Sequence, residues 1–231
     1  MAERPIFIPD PSSVRLLKEK FIAFTWSPGL APSQKKKNVS ALHAAAAEIG
    51  YNSILECSTK SDEVLGQRLS AFNLKVETDL CGVITLECAF QGSKVFENGG
   101  PYTDLFRTDS REAKKDSRLK ESGRLTGFRF EGQEFPLIPQ TAFYDWLFIR
   151  SLFPHREYLK RLEKYAAFSD IEFNPEKSIN CQARSAALFI SLLACGKLEE
   201  CVSSPLRFIE IRSYDLFPRA ESTSNVQDRL F

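Results

Sequence analysis

Apolar and polar positions along the 231 residues fall into short extended runs interleaved with helical stripes. Residues 21–26, closed by Ser27, Pro28 and Gly29, form an apolar run that predicts a buried strand. After Ser33 a lysine triplet and the apolar stripe of residues 41–47 predict a helix that stops at Gly50. Residues 53–58 predict a short strand, and Ser61 is suited to cap a helix reaching Leu69. Residues 74–77 and 83–86 read as two short strands, followed by a helix that starts near Glu87. The Asn98-Gly99-Gly100-Pro101 stop would end that helix.

Farther along, residues 108–123 are strongly charged, with Leu119 the single large apolar side chain, which predicts a solvated helix or a mobile loop. Phe128, Phe130 and Phe135 around Glu131-Gly132 predict a hairpin. Residues 141–153 are apolar around most of a helical circumference, the pattern of a central buried helix. Pro154 would open a further helix reaching Phe168. A connection over 169–178 leads to an apolar helix over 183–195, stopped by Gly196. Residues 206–211 alternate as a late strand would, and a polar, loose tail is expected from about 219. No repeat or linker divides the chain, so the expectation is one helix-rich α+β domain over 1–231 with short strands.

Composition changes little in this picture. The net charge of +1 offers no global field, so any polyanion must be met by a local basic cluster. The six cysteines include no C-x-x-C pair, which argues against zinc. The chain starts Met1-Ala2-Glu3-Arg4 without an apolar leader, so reduced thiols and a cytoplasmic setting are expected. The longest near-continuous apolar run, 186–195, is too short to span a bilayer; a soluble protein with no membrane partner follows.

Candidate chemistry concentrates in a few places. On a continuous helix Glu87, Gln91 and Lys94 fall at i, i+4 and i+7 and share a face, with Phe90 beside them. A carboxylate, an amide and an ammonium suit a sugar-phosphate ligand, although spacing alone favours a solvated face. Gly92 and Ser93 weigh against that bland reading, because small residues in a helix permit close approach. A second constellation runs from Ser169 and Asp170 through Glu172 to Asn180, Gln182 and Arg184 at the start of an apolar helix. Arg184 opposes the helix dipole there and needs an anionic partner; capping by Ser178 or Asn180 is the structural alternative. Lys35, Lys36 and Lys37 at a helix start are misplaced unless something negative binds them. Phe143, Tyr144 and Trp146 could stack on a base, with core packing as the plainer role. His43 and His155 are isolated and receive no catalytic role.

The segment from Glu87 to Phe96 (Glu87-Cys88-Ala89-Phe90-Gln91-Gly92-Ser93-Lys94-Val95-Phe96) resembles the S-E-H-x-F-Q-x-x-K-F motif of the NADAR, or YbiA-like, superfamily. Leu69-Ser70-Ala71-Phe72 is similar to that family's F-S-N-F element, and the stretch from Trp26 to Arg184 resembles a divergent branch found beside DarT-type ADP-ribosyltransferase toxins. The resemblance implies a compact α+β fold and an antitoxin that removes ADP-ribose from guanine in nucleic acid. It implies no cofactor and no metal. Glu87, Gln91 and Lys94 carry over directly. Cys88 stands where the family has His, and Ala71 where it has Asn. The family's downstream acidic residue and tryptophan have no match; Asp170, Glu172 or Asn180 could stand in. The implied site is then Glu87, Lys94 and Asp170 for catalysis, with Ser70, Phe72, Phe90, Gln91, Trp146, Asn180, Gln182 and Arg184 for ADP-ribose and its nucleic acid. Lys94 and Arg184 would hold phosphates while Phe90 or Trp146 stacks on a base. Three other readings remain: an N-glycosidase on phosphoribosylamino intermediates of riboflavin synthesis, a non-catalytic ADP-ribose-binding module, and a protein that binds a DarT-type toxin directly. The lysine triplet and the basic segment 114–120 favour a polynucleotide substrate.

Overall fold

A computed structural model describes residues 1–213. In chain order its elements are β1 (Ala2–Pro9), β2 (Leu17–Phe24), α1 (Pro32–Ala47), β3 (Ile54–Glu56), α2 (Val64–Arg68), β4 (Lys75–Thr78), β5 (Gly82–Thr85), α3 (Leu86–Gly92) and β6 (Lys94–Phe96). There follow α4 (Ser110–Lys115), α5 (Arg118–Glu121), β7 (Leu125–Phe130), β8 (Gln133–Phe135), α6 (Ala142–Leu152), α7 (Arg156–Leu159), β9 (Ala167–Ser169), α8 (Gln182–Ala194), α9 (Leu198–Ser203) and α10 (Pro205–Ser213). Helices and short strands alternate irregularly, and the fold class is α+β. The expected loose tail from 219 lies outside the described residues.

The contacts gather the chain into two compact units. The first unit combines residues 1–70 with 155–198. Its sheet has the order β2-β1-β9-β3, with β1 antiparallel to β2 and β9, and β9 parallel to β3. Ile6, Ile22 and Phe24 of the strands pack with Val39, Leu42 and Ala46 of α1, and with Ala167 and Ile171. Three expectations are corrected here. The 21–26 run is a sheet edge with alternating burial: Ile22 and Phe24 point inward, whereas Phe21 is exposed. Residues 167–169 do not end a helix; they form β9 between β1 and β3, because sheet pairing outweighs the helical pattern of the preceding residues. Ser61 does not cap α2 directly either, since Glu63 holds that position and Ser61 Oγ accepts from its backbone N–H.

The second unit comprises residues 71–154 together with residues 199–213. It contains the β4–β5 hairpin and the antiparallel sheet β6-β7-β8. Glu131 (φ 47°) and Gly132 (φ 77°) make the turn between β7 and β8, the paired left-handed geometry of a tight hairpin. Helix α6 is buried on nearly every side, as its all-round apolar pattern predicts. The charged segment 108–123 is ordered as α4 and α5, anchored by the buried Ala113 and Leu119. Residues 206–211 are corrected from strand to helix: in α10 Phe208 and Arg212, four residues apart, share the buried face. Arg212 meets Asp145 of α6 at 4.0 Å, both side chains fully buried. No helix among the described residues is long and apolar enough to cross a membrane.

Candidate functional site

In the second unit β5 delivers the chain into α3. Thr85 at the end of β5 caps the helix, its Oγ accepting from Cys88 N at 3.3 Å and bonding Ser110 Oγ of α4 at 2.7 Å. All seven residues of α3 are buried, Glu87 and Gln91 among them. Gln91 Nε2 donates to Glu87 Oε1 at 2.9 Å, so the i,i+4 pair is made as its spacing predicts. Among the described residues Gln91 Oε1 is buried with no hydrogen-bond partner, an acceptor open to a donor from a ligand.

Lys94 reaches the same place by another route. The helix stops at Gly92, with Ser93 as its cap, and Lys94 opens strand β6, opposite Phe128 of β7. The continuous helix to Asn98 is therefore corrected: pairing with β7 takes the chain over as soon as Gly92 and Ser93 weaken the helix. Lys94 and Phe96 occupy alternate, inward positions of β6, so the ammonium is driven inside by strand periodicity rather than by an i+7 stripe. Its Nζ lies 5.1 Å from the centre of the Phe90 ring. Burial pulls the ammonium down to about 7, partly offset by the Glu87 carboxylate and deepened by the charge of Lys114. At neutral pH this lysine is divided between its charged and neutral forms.

The small residues have a different purpose from the one expected of them. A Cβ on Gly92 would stand 2.6 Å from the Phe106 ring, so the glycine admits the 3-10 turn at Thr103–Arg107 against α3. Ser93 Oγ donates to Ala89 O at 2.6 Å. The stacking assignments are corrected as well. Phe90 lies inside an aromatic cluster with Phe128, Phe143 and Tyr144, and Trp146 packs on Phe130 and Phe135. The Trp146 indole N–H donates to Cys201 O at 3.2 Å. Both rings are spent on the core. Phe72, in the turn leading into β4, is 41% exposed, with Lys114 Nζ 5.9 Å from its ring centre.

In the first unit, Asp170 is buried directly after β9, accepting from Glu172 N at 3.0 Å. It has a companion that sequence reasoning missed. Glu56, at the end of β3, accepts from Ser58 Oγ (2.6 Å), Ser169 Oγ (2.6 Å) and Ile171 N (2.9 Å). Ser169 Oγ also bonds His43 Nε2 at 2.8 Å. Burial raises both carboxyls, and the Glu56 charge helps push Asp170 well above its ordinary range; burial also lowers His43 to about 4. Glu56 carries three hydrogen bonds that stabilise its charge and hold back its rise, so Asp170 is the member of the pair pushed further up. The only hint in the sequence was an acid inside the otherwise apolar strand Ile54-Leu55-Glu56. Burial also raises the thiols of Cys57 and Cys181.

Helix α8 starts at a Cys181 cap that makes no side-chain bond, so neither Ser178 nor Asn180 caps it. Among the described residues Asn180 Oδ1 and Gln182 Oε1 are buried without hydrogen-bond partners; Arg184 is half-buried and engaged. Ser70 is buried at the end of this unit's first segment. Two lysines of the triplet find anions within the unit: Lys35 pairs with Glu172 at 3.4 Å and Lys36 with Asp62 at 2.6 Å. Thus Glu87, Gln91, Phe90 and Lys94 are brought together in the second unit, which also holds Phe72 and Trp146. Asp170, Asn180, Gln182 and Arg184 gather in the first. Among the described residues no group of three or more His, Cys, Asp or Glu could hold a metal ion.

A family model described as "DarT1-associated NADAR antitoxin" matches residues 2–222. No curated protein is similar enough to match.

Proposed function

The chain belongs to the NADAR family of DarT1-associated antitoxins, and on that premise we propose that it hydrolyses the N-glycosidic bond between ADP-ribose and guanine in nucleic acid, undoing the modification made by a DarT-type toxin. The observation that carries this reading is a buried carboxylate, Glu87, oriented by Gln91, with the buried Lys94 ammonium near enough for the two charges to act on each other.

Cleavage at the anomeric carbon builds positive charge on the ribose, so a carboxylate in a poorly solvated place acts on the transition state more strongly than in water. Glu87 is that carboxylate, stabilising the ribosyl cation and then taking a proton from the attacking water. Gln91 fixes one Glu87 oxygen, and its own unpartnered Oε1 accepts from a ribose hydroxyl. Lys94 is recast. A fully buried ammonium lowered to about 7 is better suited to give a proton to the departing guanine nitrogen than to hold a phosphate at the surface. Water thus supplies hydroxyl to C1 of the ribose, and guanine leaves with a proton. The cleavage chemistry is assigned without Asp170, whose cluster is described in the first unit.

The experiment is release of free ADP-ribose from an oligonucleotide carrying ADP-ribosylguanine, by the wild type, Glu87→Gln and Lys94→Met. A loss of about a hundred-fold or more in kcat is expected for Glu87→Gln. Turnover equal to wild type would remove Glu87 from the mechanism.

A further inference from the structure

The first unit holds titrating groups that the proposed hydrolysis does not use, and they are joined in a line. Glu56, at the end of β3, is 2% exposed. Ser169, its cross-strand partner at the end of β9, donates its hydroxyl to Glu56 Oε2 at 2.6 Å. A serine hydroxyl has one hydrogen, so in the 2.8 Å bond between Ser169 Oγ and His43 Nε2 the imidazole N–H donates and the serine oxygen accepts. His43 is half-buried on α1, and among the described residues its second ring nitrogen, Nδ1, carries no hydrogen bond. Imidazole, hydroxyl and carboxylate therefore follow one another from the flank of α1 into the sheet. The other carboxylate oxygen is held separately: Ser58 Oγ and Ile171 N both donate to Oε1, at 2.6 and 2.9 Å. When Glu56 takes a proton on Oε2, both Oε1 bonds stay; the Oε2–Oγ bond reverses, and Ser169 donates to Nε2 instead. The same heavy atoms satisfy both protonation states.

We propose that His43, Ser169 and Glu56 form a proton relay that connects the buried Glu56–Asp170 pair to solvent and makes it a working acid–base centre in the first unit. Inward, a hydronium ion or buffer acid gives a proton to His43 Nδ1, Nε2 passes its own to Ser169 Oγ, and Ser169 passes its own to Glu56 Oε2. One N–H bond forms at Nδ1 as the one at Nε2 breaks, one O–H replaces another on Ser169, and one O–H forms on Glu56. The imidazole ends neutral as it began, and every step reverses on the way out. Burial lowers the imidazole to about 4 and raises both carboxyls, so the proton rests on the acids and not on the ring. Asp62 and Glu63 act on His43; Cys57, Asp170 and Glu172 surround Glu56, with Lys35 paired to Glu172 and Cys181 beside Asp170. The two thiols are raised by burial and stay protonated, so they do not compete for the proton. A buried acid that refills from water can serve general acid–base chemistry; one cut off from water cannot. The relay owes nothing to the chemistry proposed for Glu87 and Lys94.

The test follows the Glu56 carboxyl by NMR in the full chain with isotopically labelled glutamate, its signal identified by its loss in Glu56→Gln. The pH at which the signal moves belongs to the Glu56–Asp170 pair, and its exchange broadening gives the rate at which the proton comes and goes. His43→Ala, in a helix already rich in alanine, should slow that exchange by about ten-fold or more. Free imidazole added to the His43→Ala protein should return the rate towards that of the wild type, and should leave the wild type unchanged. A merely structural histidine would show no such rescue. Equal exchange rates in the wild type and His43→Ala overturn the relay, as does a slowed rate that imidazole does not raise. A Glu56 signal that keeps one position over the whole pH range in which the fold persists overturns it as well.

Discussion

Lys94→Met is the most informative substitution, because it separates the cost of burying a charge from its use. In the unfolded chain the Lys94 ammonium has its ordinary value of 10.5; folded, burial takes it to about 7. At 1.36 kcal/mol per pKa unit, holding this group inside destabilises the fold by about 4 kcal/mol at neutral pH. Because the folded value is the lower of the two, the unfolded chain binds more protons between about 7 and 10.5. Stability attributable to this residue therefore rises with pH across that window, and is lowest and flat below it. Methionine fills similar space without the charge, and removes both the penalty and the slope. The absolute stabilisation is blurred, since Glu87 loses a neighbouring cation; the difference in pH dependence is not. Urea unfolding at about pH 7 and pH 9 should show the wild type gaining about 2 kcal/mol relative to Lys94→Met. Activity should fall in the same variant. Parallel stability profiles would mean that Lys94 is not buried as a titrating amine, and its assignment as proton donor would fail with it.

Gly92→Ala should destabilise by about 1–3 kcal/mol in urea titration, because the added methyl meets the Phe106 ring at 2.6 Å; a neutral result would contradict the packing of the Thr103–Arg107 turn on α3. Asp170→Asn should raise the thermal midpoint at neutral pH, since an acid whose buried charge is disfavoured is replaced by a neutral isostere. For the same reason the wild type should gain stability as pH falls from 7 towards the ordinary carboxyl range, a gain smaller in the variant. Turnover by Asp170→Asn close to wild type would support the assignment of chemistry to α3 and β6, and its loss would return Asp170 to the mechanism. Ser169→Ala removes a bond to Glu56 and one to His43 and should cost about 1–3 kcal/mol, read by calorimetry.

Local signals carried the parts of the fold that local physics decides. Glu131-Gly132 announces its hairpin because few residue pairs accept two left-handed conformations in succession, and α6 announces its burial by lacking a polar face. What stayed hidden depends on partners distant in sequence. Lys94 falls at i+7 from Glu87 in a pattern that reads as a helix, yet its backbone belongs to a strand because residues 125–128 pair with it. The two arrive together all the same, brought by strand alternation rather than by helical period. Strand β9 is three residues long and intelligible only once β1 and β3 flank it. Strand β1 is obscured by Pro5 and Pro9. In α10 the alternation of 206–211 imitates a strand, while the actual burial follows Phe208 and Arg212. Glu56 was missed because a lone acid in a strand declares nothing until Ser58, Ser169 and the Ile171 amide surround it.

The position of β9 also bears on how the protein is born. A ribosome releases β1, β2 and β3 long before residues 167–169 exist, yet β9 lies between β1 and β3. The first sheet cannot close during most of synthesis, and the nascent chain must carry its exposed strand edges until about three quarters of it has emerged. The second unit likewise waits for α9 and α10, which bring the Cys201 carbonyl to Trp146 and Arg212 to Asp145. Products truncated before α10 would leave the second unit unfinished, so protection against a toxin would start only after α10 has been made. That delay makes the antitoxin's own folding rate a quantity on which the timing of protection depends.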